Sequence, residues 1–547
     1  MTRHLLVLVL VCLPVLGQID TPPRVGVGVI KKQLSLAEAI EMAVKNNLEI
    51  EVEKTGISTA FTNLNGAKGF LDPRFRWSPL LEDRNTPTSS ALIGVDGKLA
   101  ETFHTQNFYY DQRLPWWGSS FVMAYENNRQ SSTNPFVSLS PFLVTRLSLT
   151  MTLPLVRNRA IDRERANLKI ANKQVGISET AFELKVIDIV GRVEEAYWNL
   201  VAARRNVEVT SDAVALAREQ LARTQRMIEA GTLAPVEIAA SEAELERRID
   251  TWYASIGLVT LVENSLKSLI TGSRAEALWN DEIVPTEDHA VDAPAVDDVR
   301  GAVAAAVKKR PELRQVDLLQ DTNTIQMESA RSQTKPALNL VGGYASAGLA
   351  GTESDRDNPF ARSSAAQIMR INELSAFHGL EPLPPPSFGG IPPDLIGGWG
   401  SASQALLESR FPTVFVGLQL EWTARNRSAE AQLAQTAITE RRLKLQRAQV
   451  EQSIEAQVRN AMQAIQTSRQ RIVASDASAR ASQEKLDSEI RLFQTGESTN
   501  FLVLTRQNEL ADSRQRAVVA RLEFNKAVAR MNQALGTTLE THGITLK

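Results

Sequence analysis

Residues 186–228 read VIDIVGRVEEAYWNLVAARRNVEVTSDAVALAREQLARTQRMI, with apolar side chains at every seventh position: Val186, Val193, Leu200, Val207, Val214, Leu221 and Ile228. Three positions behind each of the first five runs a second stripe, Ile189, Ala196, Ala203, Thr210 and Ala217. Side chains three, four and seven apart share one face of an α-helix, so two stripes at this spacing predict one continuous helix with a coiled-coil seam. The pattern returns at Val458, Ile465, Ile472, Ala479, Leu486 and Phe493, partnered by Ala461, Ser468 and Ser475. Helices over 160–229 and 427–495 would each be roughly 100 Å long at the rise of an α-helix. A globular core has no use for that length. The polar positions left near the seams, Arg204, Ser211, Arg218, Ser468 and Ser475, admit two readings: they loosen the helix packing, or they face water in a lumen.

Each long helix ends at a short turn, after which a second amphipathic helix must fold back antiparallel. The first turn is Ala230-Gly231-Thr232-Leu233-Ala234-Pro235, where Gly231 suits a left-handed residue after the helix and Pro235 suits a first helical position. The second is Thr495-Gly496-Glu497-Ser498-Thr499, with Ser498 or Thr499 as the expected N-cap.

The two hairpins belong to a duplication of a whole half-chain. Leu36, Ala39, Ile40, Ala43, Val44, Lys45, Glu49, Ile50, Pro73 and Phe75 align without a gap on Val299, Ala302, Val303, Ala306, Val307, Lys308, Glu312, Leu313, Pro336 and Leu338. Arg157-Asn158-Arg159 recurs as Arg425-Asn426-Arg427, and Gly231, Glu244 and Leu245 fall on Gly496, Glu509 and Leu510. A period this long marks duplication of a half, not a solenoid array. The expected division is a first repeat over 34–272 (strands within about 74–155, helix hairpin 160–271) and a second over 299–536 (strands within about 337–423, hairpin 427–535). A linker over 273–298 joins the repeats, and a tail over 537–547 ends the chain.

Between the helices the period changes to two. Leu143, Leu147, Leu149, Met151, Leu153 and Leu155 share one side of a strand, with Arg146, Ser148, Thr150 and Thr152 on the other. In 411–423, Val414, Val416, Leu418, Leu420 and Trp422 likewise oppose Phe415, Gly417, Gln419, Glu421 and Thr423. Such alternation fits a half-buried soluble sheet or the wall of a membrane barrel; the long helices flanking it favour the barrel. A further hairpin is expected from Gln106–Leu114, the Pro115-Trp116-Trp117-Gly118 turn and Ser119–Arg129. Its Tyr109, Tyr110, Trp116, Trp117 and Tyr125 suggest an interfacial aromatic girdle. The first repeat then has four strands and the second two, near Ala337–Ala345 and Phe411–Thr423. A proline-rich external loop with Leu383-Pro384-Pro385-Pro386 and a short helix near Ala361–Phe377 is expected between the latter pair.

Bulk properties agree. A chain of 547 residues exceeds one compact core, and a net charge of -2 gives no footprint for nucleic acid. Met1–Gly17 has the form of a secretory signal: Arg3 and His4, an apolar run from Leu5 to Leu16, then Val15 and Gly17 at the cleavage site, with Gln18 next. The sole cysteine, Cys12, lies inside it and follows Val11, where a lipoprotein signal needs a small residue, so lipidation is not expected. The mature chain would hold no disulfide and no thiolate metal site. His4, His104, His289, His378 and His542 have no ligand spacing, and no phosphate loop or nucleophile elbow is present. No metal, cofactor or enzymatic activity is expected. An exported chain lacking an apolar helical span can cross the outer membrane only as a closed barrel.

Leu36-Ala37-Glu38-Ala39-Ile40 running to Asn46-Asn47, Asp72-Pro73 ahead of the first strand, the two glycine-centred turns and the duplicated order together resemble the TolC-type outer-membrane efflux factor family over essentially the whole mature chain. The resemblance implies an α+β membrane protein: a homotrimer whose outer-membrane β-barrel continues into a long periplasmic α-helical barrel, with an equatorial belt over 275–298 and the tail. It further implies outer-membrane lipid around the barrel, a periplasmic adaptor protein docked on the hairpin tips, and an inner-membrane transporter that supplies the energy. The tip residues would be Ala230, Gly231, Thr232, Leu233, Pro235, Thr495, Gly496, Glu497, Ser498 and Thr499. Two departures stand out. Six strands replace the usual four per subunit, so a trimer would close eighteen instead of twelve. Where family tips often carry constricting aspartates, this chain has Leu502, Thr505 and, in the first copy, Glu237; Glu237 fits a gate carboxylate or a first-turn partner of the helix dipole. The alternative to a channel is a periplasmic coiled-coil adaptor or scaffold, which would lack duplicated alternating strands. Small molecules and polypeptides both remain open as cargo.

Overall fold

A computed structural model describes residues 24, 26, 30–90, 92–94, 97–287, 292–293, 298–356, 358–384 and 390–546. The expected signal with Cys12, the cleavage site before Gln18, much of the second half of the linker, and Pro385 and Pro386 lie outside the described residues. In chain order the elements are β1 (Lys31–Leu34), α1 (Leu36–Asn46), α2 (Leu48–Lys68), β2 (Arg74–Pro87), β3 (Lys98–Arg113), β4 (Ser120–Ser132), β5 (Leu139–Pro154), α3 (Arg163–Glu229), α4 (Glu237–Ile270) and β6 (Glu282–Pro285). A second series follows: α5 (Val299–Lys309), α6 (Pro311–Gln333), β7 (Ala337–Glu353), α7 (Pro359–Phe377), α8 (Trp399–Leu407), β8 (Phe411–Glu421), α9 (Arg427–Thr495), α10 (Asn500–Leu535) and the short α11 (Thr538–Thr541).

The half-chains correspond closely in their helices. α1 and α5 both have 11 residues, α3 has 67 against 69 in α9, and α4 has 34 against 36 in α10. α1 starts in a capping box, the Ser35 side chain accepting from the Glu38 amide while the Glu38 carboxylate accepts from the Ser35 amide; Asp298 accepts from the Arg300 and Gly301 amides at the start of α5. Each cap satisfies amides that the first turn of a helix cannot pair internally. The chain forms two compact units, Met1–Ser58 with Ile177–Asp317 and Leu445–Lys547, and Thr59–Gly176 with Leu318–Lys444. Neither unit coincides with a repeat, since both draw on both halves of the sequence.

In the first unit the apolar stripe of α3 is buried where it begins. Val186, Ile189, Val193 and Leu200 pack with Leu266 and Ile270 of α4 and with Ala39, Ile40 and Ala43 of α1. The second repeat builds its counterpart from Ala302, Ala306, Leu313, Ile454, Val458, Ala461 and Met531. β1 and β6 form a parallel two-stranded sheet, placed by Tyr197: its hydroxyl is hydrogen-bonded to Glu287, lies 3.0 Å from the Leu34 carbonyl and accepts from the Thr286 amide at 3.2 Å. Burial, and then the Glu287 contact, push the Tyr197 phenol above its usual value, so it remains neutral and able to donate.

Arg204 neither loosens a seam nor faces open water. Its guanidinium donates to Glu282 at 2.8 Å and to the Ile283 carbonyl at 3.1 Å, pinning β6; its carboxylate partner is 78 residues away in sequence, beyond the reach of local pattern. Ser468 is buried and donates to the Ala464 carbonyl at 2.6 Å within its own helix, a common way for serine to sit inside a helix. Ser211 and Arg218 are exposed.

The second unit contains one six-stranded sheet in the order β2-β3-β4-β5-β7-β8. Every neighbouring pair in it is antiparallel. The recurring tripeptides meet at the end of α6, though with different tasks. Asn158 receives the Gln333 side chain at 2.7 Å and donates its amide to Ser332, whereas Asn426 donates to the Gln333 carbonyl at 2.9 Å.

Candidate channel wall and helix tips

Residues on one face of a strand alternate with those on the other, so pairing register decides whether the apolar sets of six strands coincide. They do. Phe75 and Trp77 of β2 lie opposite Tyr110 and Phe108 of β3, which lie opposite Met123 and Tyr125 of β4. These adjoin Leu149 and Leu147 of β5, which pair with Tyr344 and Ser346 of β7; Leu338, Leu340 and Tyr344 then face Leu420, Leu418 and Val414 of β8. One face thus carries an apolar band across all six strands, with His104, Gln106, Asn127 and Arg129 beyond it on β3 and β4. Its opposite carries Arg76, Glu82, Asp111, Glu126, Arg146, Gln419 and Glu421, an alternation of the kind that lipid-facing and lumen-facing surfaces require.

Aromatic rings reinforce the first three strands. Trp77, Phe108 and Tyr125 stack in one row at centroid separations of 6.3 and 6.4 Å; Phe75, Tyr110 and Phe121 form another at 4.9 and 5.6 Å. Trp116 and Trp117 are exposed at the β3–β4 turn. Tyr109 does not join the girdle expected of it. As Tyr110's neighbour it points to the other face, where the Arg76 guanidinium lies 4.6 Å from its ring centre.

The sheet is open. β2 and β8 are its edges, and nearly every residue of both is exposed: Phe75, Trp77, Leu81, Val414, Val416, Leu418 and Leu420 are each at least 60% accessible. A long apolar edge with unpaired amides and carbonyls is a template for another strand.

At the far ends of α3 and α9 the two turns have the same hydrogen bonds. The Gly231 amide donates to the Ile228 carbonyl and the Thr232 amide to Met227, both at 2.9 Å; the Gly496 amide donates to Phe493 at 3.2 Å and the Glu497 amide to Leu492 at 2.9 Å. Both glycines are left-handed, at φ 72° and 82°. This is the Schellman arrangement, which closes the last carbonyls of a helix and favours glycine. α4 begins at Glu237, two residues beyond Pro235, with no side-chain cap, so Pro235 lies in the turn and not at the first helical position. Thr499, not Ser498, caps α10, accepting from the Leu502 amide; Ser498 bonds to Glu489 instead.

Ala230, Gly231, Thr232, Pro235, Thr495, Gly496, Glu497 and Thr499 are exposed. Leu233 turns inward, joining Leu216, Met227 and Ile490 around Leu486, Phe493, Val503 and Leu510. Leu502 is exposed, and the Thr505 hydroxyl donates to its own helix at Phe501. Glu237 accepts from the Asn500 side chain at 3.1 Å. That Asn500 is buried, also reaching Ser241 at 3.1 Å and accepting from Gln220 at 2.9 Å, while Thr224 lies 3.3 Å from Ser241. This polar cluster joins the two hairpins next to the turns. The sequence held one sign of it: Thr224 continues the stripe of Thr210 and Ala217, a polar group in a seam position.

Residues 121–252 match the family model described as outer membrane efflux protein. Solved structures with the same fold include the outer-membrane channel OprN (13% identity, TM-score 0.61, covering 92% of this chain and 90% of that one) and CusC (14%, 0.61, 92% of both chains), described for its transmembrane channel formation. The CmeC outer membrane channel of Campylobacter jejuni is similar too (13%, 0.60, 92% and 86%). Curated protein sequences give no match. An efflux-protein pattern over part of the chain thus coincides with the fold of outer-membrane channels over nearly all of it. The resemblance to the TolC-type efflux factors is borne out, by the efflux-protein pattern within 121–252 and by the channel fold over nearly the whole chain.

Proposed function

We propose that three copies of this chain close a barrel of eighteen strands around a water-filled lumen, and that the pore serves a tripartite export system. The observation that carries the closure is the open sheet with two exposed apolar edges. An even number of antiparallel strands leaves β8 running opposite to β2, so β8 of one copy can pair antiparallel with β2 of the next. Repetition of that one head-to-tail contact makes a ring if the rotation closes, and closure removes every edge, as a lipid-exposed sheet must. The apolar face then meets lipid and the charged face lines the pore. Extracted from membranes with detergent, the protein is expected to run as an oligomer that dissociates only on heating. A monomer released by salt alone would overturn closure and favour the periplasmic scaffold.

The exposed turns Ala230–Thr232 with Pro235 and Thr495–Thr499 are the proposed seat of a periplasmic adaptor, through which an inner-membrane transporter drives export; Glu237, Leu502 and Thr505 are the proposed constriction. A Cβ at Gly231 or Gly496 would meet nothing within 4 Å, so a large side chain there projects into the proposed contact. The backbone cost of holding a non-glycine residue left-handed is about 1–2 kcal/mol, small beside the helices that hold the turn. Gly231→Arg and Gly496→Arg together are therefore expected to abolish export in cells while oligomers still reach the outer membrane. Undiminished export with both replacements would remove the turns from the docking surface.

A further inference from the structure

The segment between β7 and β8 covers part of the sheet's apolar face. α8 lies directly on it: Ala402 is buried with Leu143 and Ala350, the Thr145 hydroxyl donates to the Ala402 carbonyl at 3.2 Å, and the Ser346 hydroxyl donates to the Leu406 carbonyl at 2.8 Å. By register, Leu143, Thr145, Ser346 and Ala350 belong to the same face as Leu147, Leu149 and Tyr344. Contact is so close that a Cβ on Gly348 would stand 1.9 Å from the Ala402 carbonyl oxygen. Glycine at 348 is thus a condition for the helix to sit there.

Much of what α8 and the neighbouring α7 expose is also apolar. No residue from Leu395 to Leu407 is charged, and Leu407 is 80% exposed. In α7 no residue is buried, and Phe377 is 91% and Leu374 56% exposed. The charges nearest these groups pair locally, Arg370 with Glu373 at 2.8 Å, and Arg410 with Glu408 at 2.7 Å and Asp394 at 3.1 Å, while Arg362 is exposed near the start of α7. α8, seated on the apolar face of the sheet and uncharged on its free side, continues that face outward, and α7 beside it in the chain adds further exposed apolar side chains.

We propose that α7 and α8 form a lipid-embedded collar on the outside of the barrel, with Leu374, Phe377 and Leu407 among the acyl chains of the surrounding bilayer at the end of the sheet remote from α6 and α9. The inference rests on the sheet being the barrel wall, because only then does its apolar face look into lipid. Continuity of the collar with that face selects lipid as the occupant; the helical backbone pairs its own amides and carbonyls, as this position requires.

The test uses full-length assembled protein on a Cys12→Ser background, reconstituted in vesicles of phosphatidylethanolamine and phosphatidylglycerol. Nitroxide labels are placed singly at Leu374→Cys, Phe377→Cys and Leu407→Cys, with Val416→Cys and Gln419→Cys as reports on the two faces of the sheet. Collisions with oxygen are expected to exceed those with a water-soluble nickel complex several-fold at 374, 377, 407 and 416, and to fall below them at 419. Nickel-dominated collisions at the collar sites, with 416 still lipid-like, would overturn the collar and leave the barrel standing. Protection from both reagents would equally overturn it, assigning the surface to a protein contact. A water-like signal at 416 would instead sink the barrel reading. Gly348→Val, which α8 cannot accommodate in place, is expected to make the label at 407 nickel-accessible without changing that at 416; an unchanged label at 407 would overturn the seating of α8.

Discussion

Val416→Arg is expected to eliminate the heat-modifiable oligomer from the outer membrane, whereas Gln419→Arg on the same strand leaves it intact. Val416 is the middle residue of β8, 75% exposed, and lies opposite Gly342 on the apolar face. Gln419 pairs with Asn339 on the other. An arginine facing lipid at the bilayer midplane costs about 2–4 kcal/mol, and a lumen position tolerates polar substitution. In the proposed trimer the penalty enters once per copy, so a change that one strand survives by snorkelling accumulates around the ring. Both variants add the same charge to the same edge strand, so a general loss of folding would affect them alike. The comparison is read from the oligomer fraction in unheated, detergent-solubilised membranes. Loss only with Gln419→Arg would invert the assignment of faces, and equal loss would remove the distinction between them.

Much of this wall is legible before any coordinates. Alternation at Leu147, Leu149 and Met151 and at Val414, Val416 and Leu418 is local, and local periodicity survives in sequence. What alternation cannot supply is register across strands. Tyr109 and Tyr110 read as one aromatic cluster, yet adjacent residues of a strand must part to opposite faces, and only the pairing of Tyr110 with Phe75 and Met123 decides which of them joins the apolar side. The seat of α8 was equally hidden, because it depends on small residues of β7, Ser346, Gly348 and Ala350, that carry no pattern of their own. Helices were easier, since their stripes follow from the helical period alone. Their polar partners were not: Gln220 and Asn500 are 280 residues apart in the chain, and charged residues in an amphipathic helix ordinarily belong to its wet face. Lys267 and Glu263 violate that rule.

Lys267→Ala is expected to lower the apparent melting temperature of the detergent-solubilised protein more than any single truncation on the exposed faces of α3 or α9. The Lys267 and Glu263 side chains are both fully buried, joined at 2.8 Å one helical turn apart. The ammonium also donates to the Trp279 carbonyl at 3.1 Å and the Asp281 carbonyl at 2.6 Å, while Glu263 receives the Ile283 amide at 3.3 Å and Arg24 at 2.5 Å. One pair thus fastens the approach to β6 and the strand itself onto α4. Removing one member of a buried pair costs about 3–5 kcal/mol, chiefly because the other charge is left without its partner. Buried pairs elsewhere can be exchanged for apolar side chains at little net cost, so the double variant Glu263→Leu/Lys267→Met is the informative comparison. Here that exchange would leave two part-buried carbonyls and the buried Ile283 amide without these partners, each unpaired buried group costing about 1–3 kcal/mol, and would leave Arg24 only Thr260 at 3.0 Å and Glu282 at 3.5 Å. The double variant is therefore expected to remain well below the parent protein in melting followed by far-ultraviolet circular dichroism. It should also be cut faster by protease within residues 271–287, the stretch that carries β6. A double variant as stable and as resistant as the parent would mean that packing alone holds β6, and that the charges act only on each other.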